Sequence, residues 1–303
     1  MKMKKPGFLL TSLSTALLAL AAPTAQAAWT LNMTPGISAI SRNIYSLHMR
    51  VFWWCVVLAV FVFGWMIYSL IRFRKSQGAV PDTKLVHNTT AEIIWTVIPV
   101  IILIVMAVPA TRTLIETDDA TNTELTIRVT GYQWKWGYEY VGSGVTVLST
   151  LDRDSNVARQ LGSGIDPNSV PNYLLSVDHP LVVPAGTKVR LLLTAQDVIH
   201  AWWVPALAIK KDAIPGFINE AWFKIDADNT GLYRGQCAEL CGRDHGFMPI
   251  VVDVRSKADF DSWLHTQQAL QRPADTAPPA APPDTVPASA ASAVAAKAST
   301  KTG

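Results

Sequence analysis

Two long runs without a charged residue constrain the fold of this chain more than any other feature, and they cover residues 51–71 and 93–111. As a helix rising ~1.5 Å per residue, the first run would measure about 31 Å, which matches the ~30 Å hydrocarbon core of a bilayer. Trp53, Trp54 and Trp65 lie toward its ends, where interfacial aromatic side chains are common. The two runs predict a transmembrane hairpin with helices over about residues 47–71 and 92–113.

The start of the chain has the pattern of a secretory signal. A basic start, an apolar stretch and an A-x-A cleavage site follow one another: Lys2, Lys4 and Lys5, residues 8–22, and Ala25-Gln26-Ala27. A first transmembrane helix is the alternative, which Pro23 and the short apolar run disfavour. We therefore expect residues 1–27 to be removed, and the mature chain to begin outside the cytoplasm with the hairpin region, residues 28–115.

The loop between the two apolar runs is basic. It carries Arg72, Arg74, Lys75 and Lys84. Short basic loops stay on the cytoplasmic side of a membrane. The signal and the loop charge are independent indications that agree on an N-out, C-out hairpin. They place everything after residue 113 outside the cytoplasm.

Residues 116–271 carry strand patterns separated by turn residues. Residues 123–131 alternate apolar and polar side chains, as a half-buried strand does. Further short strands are expected at residues 174–177, 181–183, 188–194, 222–225 and 250–254. Many strands with no strong helical pattern predict an all-β Greek-key sandwich or barrel. We expect an irregular insertion at residues 142–171 and a short helix at residues 257–271.

Composition and charge distinguish the C-terminal segment from the domain that precedes it. Residues 272–303 are rich in Pro, Ala, Ser and Thr and have no aromatic residue, so we expect a disordered spacer. The net charge of +3 gives no sign of a nucleic-acid partner. Residues 116–271 contain 19 acidic and 13 basic residues, so the domain carries −6 although the whole chain is basic.

Near the end of this domain stand four soft or borderline metal ligands in the spacing C-x3-C-x3-H-x2-M: Cys237, Cys241, His245 and Met248. Thiolate, imidazole and thioether ligands suit copper. A blue-copper site needs a single Cys, so the economical use of two thiolates is to bridge two copper ions. Each copper then needs a terminal nitrogen. His245 supplies one, and we expect His200, which follows the apolar strand of residues 189–194 and begins a loop, to supply the other.

Two other interpretations of the cysteines stay open at this point. Cys237 and Cys241 could form a disulfide, since the domain is expected to be exported. They could also hold zinc with a histidine, although the usual zinc spacing is C-x2-C and methionine is a poor zinc ligand.

The stretches around His200 and the cysteines resemble the binuclear copper (CuA) domain of cytochrome c oxidase subunit 2. The match runs over residues 194–254 and includes Asp212-Ala213-Ile214-Pro215-Gly216. It implies a cupredoxin-like barrel in which both cysteines bridge two copper ions and His200, His245 and Met248 are terminal ligands. It also implies that Glu239 gives a backbone carbonyl to copper and a side chain to a magnesium ion shared with subunit 1.

The resemblance extends to two residues outside the copper motif. Glu92 lies in the pattern E-x-x-W-T-x-x-P, which implies the mouth of a proton path into subunit 1. A carboxylate that stabilises a helix N-terminus is the alternative role. Aromatic residues occupy every second position from Tyr132 to Tyr140, and the resemblance implies that electrons from cytochrome c enter at Trp134. Packing on one face of a strand is the alternative explanation.

The resemblance implies subunit 2 of a bacterial, aa3-like haem-copper oxidase. Such a subunit passes electrons from cytochrome c to a haem of subunit 1, where oxygen is reduced to water and protons are translocated. Subunits 1 and 3, cytochrome c and the lipid bilayer are the implied partners. The alternatives are a membrane-tethered copper chaperone and the copper domain of a nitrous oxide reductase. A chaperone would have no need of Glu92 or Trp134, and the reductase has a large His-rich partner domain.

Overall fold

The computed structural model describes residues 32–80, 83–84 and 86–272. The predicted signal peptide, residues 1–27, lies outside these ranges, and so does the Pro- and Ala-rich tail from residue 273 onward. Both stay predictions.

Two long helices open the described chain, α1 (Ala39–Arg72) and α2 (Thr89–Asp118). Both are long and apolar enough to span a membrane. The Ser38 side chain caps α1 by accepting from the Ser41 amide, and Asn88 caps α2 in the same way through Ala91. These polar caps explain why both helices begin before the apolar runs. At ~1.5 Å per residue, the 34 residues of α1 span about 50 Å, more than a hydrocarbon core.

The first turns of α1 dock onto the β domain. Ile37 accepts a backbone hydrogen bond from Asp226, and Ser38 forms a β-bridge with Ile225. Arg42 pairs with the carboxylate of Asp226 at 2.6 Å, and Ile40 is buried. The end of the hairpin that carries the start of α1 therefore contacts the domain directly.

Ten strands build the domain from residue 125 onward. They are β1 (Leu125–Tyr132), β2 (Lys135–Tyr140), β3 (Val145–Ser149), β4 (Leu181–Pro184), β5 (Lys188–Ala195), β6 (His200–Val204), β7 (Ile209–Ala213), β8 (Asn219–Lys224), β9 (Gly231–Cys237) and β10 (Pro249–Arg255). They form two five-stranded sheets in the orders β3-β2-β1-β5-β8 and β4-β10-β9-β6-β7. The β1–β5 and β10–β4 pairs are parallel, and the other pairs are antiparallel. The predicted fold class, a helical hairpin followed by an all-β sandwich or barrel, is confirmed.

Aromatic and branched side chains from both sheets fill the core. Trp136, Tyr138 and Trp202 are among its largest fully buried members. A terminal helix, α4 (Lys257–Gln271), closes one end of the sandwich by packing Phe260 and Trp263 against Tyr140. The core thus holds together the two sheets from which the candidate site is built.

The expected irregular insertion at residues 142–171 is wrong in part. Strand β3 and a short helix, α3 (Arg153–Ala158), lie within it. Alternate side chains of β3 are buried, beginning with Val145. The carboxylate of Asp152 caps α3 by accepting from the amides of Asp154 and Ser155. Local capping and alternation therefore outweigh the many Gly, Asp and Asn residues of this segment.

Three other local expectations need correction. Residues 174–177 form no strand, because Leu174 adopts a positive φ of 61° and the Leu175 carbonyl accepts from Arg234 at 2.6 Å. His200 does not begin a loop: it is the first residue of β6, and the loop precedes it. The alternating aromatics do not share one strand, since Tyr132 ends β1 and Trp134 lies in the turn before β2.

Candidate metal centre

The last residue of β9 and the loop that follows it to β10 carry five of the six predicted donors, and backbone hydrogen bonds fix both ends of this loop. The amide of Cys237, the last residue of β9, donates to the carbonyl of Met248 at 3.1 Å. The next amide, that of Ala238, donates to the carbonyl of Ala201 in β6 at 3.0 Å. These bonds bring the start of β6 to the base of the loop.

His200 meets the loop from that position. Its side chain is completely buried, with Nδ1 3.9 Å from the Sγ atom of Cys237. The edge of the imidazole packs against Trp136, with ring centroids 5.9 Å apart. A Cβ atom on Gly131 of β1 would lie only 2.7 Å from the imidazole, so a glycine is needed there for β1 to pass the ring.

The remaining donors gather around the two sulfur atoms. The Sγ atoms of Cys237 and Cys241 are 3.9 Å apart, and the His245 Nδ1 atom is 3.5 Å from Cys241 Sγ. The thioether sulfur of Met248 lies 4.0 Å from Cys241 Sγ, and the Glu239 carbonyl oxygen lies 3.4 Å from Cys237 Sγ. All six predicted donor residues therefore converge on one small, largely buried volume.

This geometry and chemistry fit a soft metal. Both thiols are free, so the structure has no disulfide between Cys237 and Cys241. Ligand atoms of His200, Cys237 and Cys241 all lie within 4.8 Å of one another, close enough to surround a metal ion. The thioether beside them favours copper over zinc.

Asp197 holds His200 from the side opposite the sulfur atoms. Its Oδ1 atom lies 2.9 Å from His200 Nε2, and its Oδ2 atom accepts from the Gln133 amide at 2.7 Å. A carboxylate on Nε2 fixes the tautomer and leaves Nδ1 free to ligate, the usual arrangement behind a metal-binding histidine. Our sequence interpretation missed Asp197, although its position three residues before the histidine was a usable signal.

The ionisable groups of the site influence one another. Burial alone would lower the pKa of His200, but hydrogen bonds with Cys237 and Asp197 raise it above its ordinary value. Burial opposes ionisation of Cys237, yet hydrogen bonds with His200 and backbone groups lower the pKa of this thiol. Burial and the neighbouring Cys237 raise the pKa of Cys241. One thiolate therefore forms more readily than the second, and a bound cation would favour both.

Trp134 reaches the centre from the turn between β1 and β2. Its indole N–H donates to the Cys241 carbonyl at 3.1 Å, and the Gln133 side-chain amide donates to the same oxygen at 2.9 Å. The Arg243 guanidinium lies 5.5 Å from the centre of the Trp134 ring. The sequence patterns gave no indication of the Gln133 contact, which depends on how the turn folds over the loop.

The two predicted carboxylates lie apart from the donor cluster. The side chain of Glu239 is exposed, although its carbonyl faces Cys237. Glu92 lies in the first turn of α2, at the end of the hairpin away from the β domain. There the Glu92 amide donates to the carbonyl of the capping residue, Asn88.

Comparisons with known proteins agree with this architecture. The family model described as the periplasmic domain of cytochrome c oxidase subunit II matches residues 125–255, and the model of its transmembrane domain matches residues 26–113. A probable cytochrome c oxidase subunit 2 from Rickettsia prowazekii is 42% identical over 238 residues, covering 78% of this chain and 72% of that protein. The chain belongs to the cytochrome c oxidase subunit 2 family.

Other members of the cytochrome c oxidase subunit 2 family are also similar to this chain. The wheat (Triticum aestivum) protein is 36% identical over 264 residues, covering 87% of this chain and 99% of its own length. The crystal structure of the periplasmic domain of subunit II of cytochrome oxidase from Bradyrhizobium japonicum is 40% identical, with a TM-score of 0.42. It matches 50% of this chain and 99% of its own. As a member of this family, the protein is a subunit of a haem-copper oxidoreductase, with a membrane hairpin and an extramembrane domain.

Asp197→Asn should weaken metal binding, because the neutral amide holds the proton on His200 Nε2 less firmly than the carboxylate does. We expect a loss of roughly 10- to 100-fold in Cu(I) affinity, measured by competition with a chromogenic chelator on the full chain. Asp261→Asn removes the same charge from the exposed surface of α4 and serves as the control. Equal affinities in the two variants would contradict a supporting role for Asp197.

Proposed function

We propose that this subunit holds a binuclear copper centre, accepts electrons from cytochrome c and delivers them toward a haem of subunit 1. The observation that carries the proposal is the convergence of two free thiols, two imidazoles, a thioether and a carbonyl in one place. Family membership supports the oxidase context.

Each donor has a separate task in this proposal. Cys237 and Cys241, with their sulfur atoms 3.9 Å apart, would bridge two copper ions. The terminal ligands would be His200, His245, Met248 and the carbonyl of Glu239. When bound, the copper pair would supply a one-electron redox centre. The burial of His200, Cys241 and Met248 would keep water away from the copper pair and restrict these ligand side chains to one arrangement.

Trp134 is the residue through which we expect electrons to arrive. Its ring is partly exposed, and its N–H is bonded directly to the backbone of a bridging cysteine at 3.1 Å. One hydrogen bond therefore joins the protein surface to the centre. The two nearby hydrogen bonds of Gln133 hold the turn that presents this ring.

Charge around Trp134 differs from the charge of the domain as a whole. The domain carries −6 and would attract a cytochrome c with a basic rim. Close to the ring, however, Arg243 is 81% exposed, and Lys135 follows directly in the chain. Asp244 is mostly covered, between Arg243 and Arg159. We therefore propose that long-range attraction and local repulsion partly cancel.

The hairpin supports a proposal for orientation. The basic loop between α1 and α2 would lie in the cytoplasm, and the copper domain in the periplasm of a bacterial inner membrane. Subunit 1, and with it subunit 3, would pack against the apolar helices. Glu92, near the cytoplasmic side, would collect protons for subunit 1. The exposed carboxylate of Glu239 would reach a magnesium ion at the interface with subunit 1.

A membrane-tethered copper chaperone is the second candidate. Accessible sulfur ligands on a membrane protein would suit it, but here both cysteines and Met248 are buried. A chaperone would also gain nothing from the hydrogen bond between Trp134 and Cys241. The burial of the sulfur ligands therefore favours electron transfer.

Cys237→Ser and Cys241→Ser should each abolish the two-copper signal, because one thiolate cannot bridge the ions in the same way. Electron paramagnetic resonance of the purified oxidase should change from hyperfine coupling to two equivalent copper nuclei to coupling to one nucleus or none. Cys55→Ser, on the exposed surface of α1, is the matched control. A two-nucleus spectrum in both site variants would refute the bridging assignment.

Trp134→Ala should slow electron transfer from cytochrome c far more than it weakens binding. The substitution removes the aromatic ring through which electrons would enter, but it leaves the charged residues that attract cytochrome c. Trp134→Phe keeps a ring but loses the hydrogen bond to Cys241, so its rate should be intermediate. Stopped-flow reduction of the centre would measure these rates at several salt concentrations. Salt should have only a modest effect on the wild type, because screening, with a Debye length of ~8 Å at physiological ionic strength, weakens the long-range attraction and the local repulsion together. Rates equal to wild type for Trp134→Ala at every salt concentration would mean that electrons enter elsewhere.

Glu92→Ala should slow oxygen consumption without changing reduction of the centre by cytochrome c, because the carboxylate would handle protons and not electrons. Steady-state oxygen uptake across pH, beside stopped-flow reduction, separates the two effects. Glu116→Ala, near the other end of the same helix, is the control. Unchanged turnover in the Glu92 variant would leave this residue with a helix-stabilising role alone.

A further inference from the structure

The turn that carries His245 and leads directly into Met248 has few hydrogen bonds of its own. It is the short 3-10 turn His245–Phe247, and no side chain caps its start. Within it, the backbone bonds are those from the His245 amide to the Gly242 carbonyl and from the Phe247 amide to the Asp244 carbonyl. Gly242 has a φ of 112°, and a Cβ atom placed on Gly246 would meet no other atom within 4 Å. Such a turn needs a contact from outside to keep one conformation.

Arg159 provides that contact from a distant part of the chain. Its guanidinium lies 4.3 Å from the centre of the Phe247 ring, and its Nη1 atom lies 3.7 Å from the Asp244 carboxylate. Asp244 directly precedes His245, and Phe247 directly precedes Met248. One side chain therefore touches the neighbour of each of these two donors.

The position of Arg159 is itself fixed. It caps the C-terminus of α3, where its amide donates to the Ser155 carbonyl at 3.0 Å and its Nε atom donates to Asn156 at 2.8 Å. Helix α3 is anchored by buried Ser155 and Ala158, and the Ser155 hydroxyl accepts from the Leu174 amide at 3.2 Å. The guanidinium thus approaches the turn from an ordered support.

The Arg159 contacts are also shielded from solvent. The side chains of Arg159 and Asp244 are 21% and 17% exposed, whereas Arg243, the other partner of Asp244, is 81% exposed. An exposed ion pair is weak, and a shielded pair combined with a cation–π contact is stronger. A planar guanidinium can stack on a ring and face a carboxylate at once, which a lysine ammonium does less well.

We infer that Arg159 is a positioning residue that holds the His245–Met248 turn in its metal-binding conformation, and that the insertion carrying α3 serves this purpose. The inference rests on the proposed copper centre. Arg159 touches no ligand atom, so its effect passes through Asp244 and Phe247. Without it, the His245 imidazole and the Met248 thioether would sample positions away from the two thiols.

The test uses the purified, copper-loaded oxidase carrying Arg159→Gln, Arg159→Lys or Arg153→Gln in this subunit. Arg153 is exposed on the same helix and is the control. The readouts are the rate of copper loss to a Cu(I) chelator, the copper hyperfine pattern and the reduction potential of the centre. We expect Arg159→Gln to lose copper roughly tenfold faster or more, with a shifted potential and altered hyperfine coupling. Arg159→Lys should be intermediate, and Arg153→Gln should match wild type.

Phe247→Leu provides a second variant, because it removes the stacking partner and leaves the ion pair intact. It should accelerate copper loss in the same direction, which keeps the inference testable if Arg159→Gln assembles poorly. Wild-type copper release, spectrum and potential in both Arg159→Gln and Phe247→Leu would overturn the inference while leaving the proposed function in place. A wild-type oxidase without a two-copper signal from this subunit would overturn the proposed function and the inference together.

Discussion

The backbone pairing among β6, β9 and β10 is the constraint on which the candidate site depends. The register aligns Trp202 with Cys237, and the amides of Cys237 and Ala238 donate to Met248 and Ala201. These bonds bring His200 next to Cys237, although 37 residues separate them in the chain. They also close the ligand loop on itself, so that Met248 returns to the sulfur atoms. A shift of register would move His200 away from the thiols and dismantle the donor set.

The rest of the domain supports this arrangement from three directions. The turn between β1 and β2 places Gln133 and Trp134 on the Cys241 carbonyl. Asp197 links the same turn to His200, so one carboxylate connects the turn that carries Trp134 to a candidate metal ligand. Arg159 meets the loop from the insertion. Satisfied hydrogen bonds in a shielded place restrict side chains more firmly than the same bonds in water. These contacts therefore restrict the candidate ligand residues from outside the donor cluster.

The hairpin contributes to function by holding the β domain at a fixed place relative to the apolar helices. Helix α1 is longer than a membrane core, and its first turns pack on the domain through buried Ile40 and the strand-like contact of Ser38 with Ile225. The ion pair between Arg42 and Asp226 is largely exposed to solvent, and such pairs contribute little to stability. Apolar burial and backbone pairing thus hold the domain to the helix, which fixes the position of the candidate ligands relative to the start of the hairpin.

The sequence by itself determined the features that depend on local order. Absence of charge over about 20 residues predicts a membrane helix, and two cysteines, a histidine and a methionine within twelve residues must lie near one another in the fold. The alternation of β1 and the apolar run of β5 made these two strands predictable for the same reason. The tertiary structure decided which distant groups meet the ligand loop. No sequence spacing links Gln133 to Cys241 or Arg159 to Phe247, because these contacts arise only when two sheets close over one core.

The segment of residues 142–171 looked irregular in the sequence because its Gly, Asp and Asn residues favour turns. Its short helix depends instead on the Asp152 cap and on burial against the domain, which the sequence pattern did not reveal. Soft metal donors can be recognised from residue type and spacing in a sequence, but the orientation of their side chains depends on packing between residues far apart in the chain.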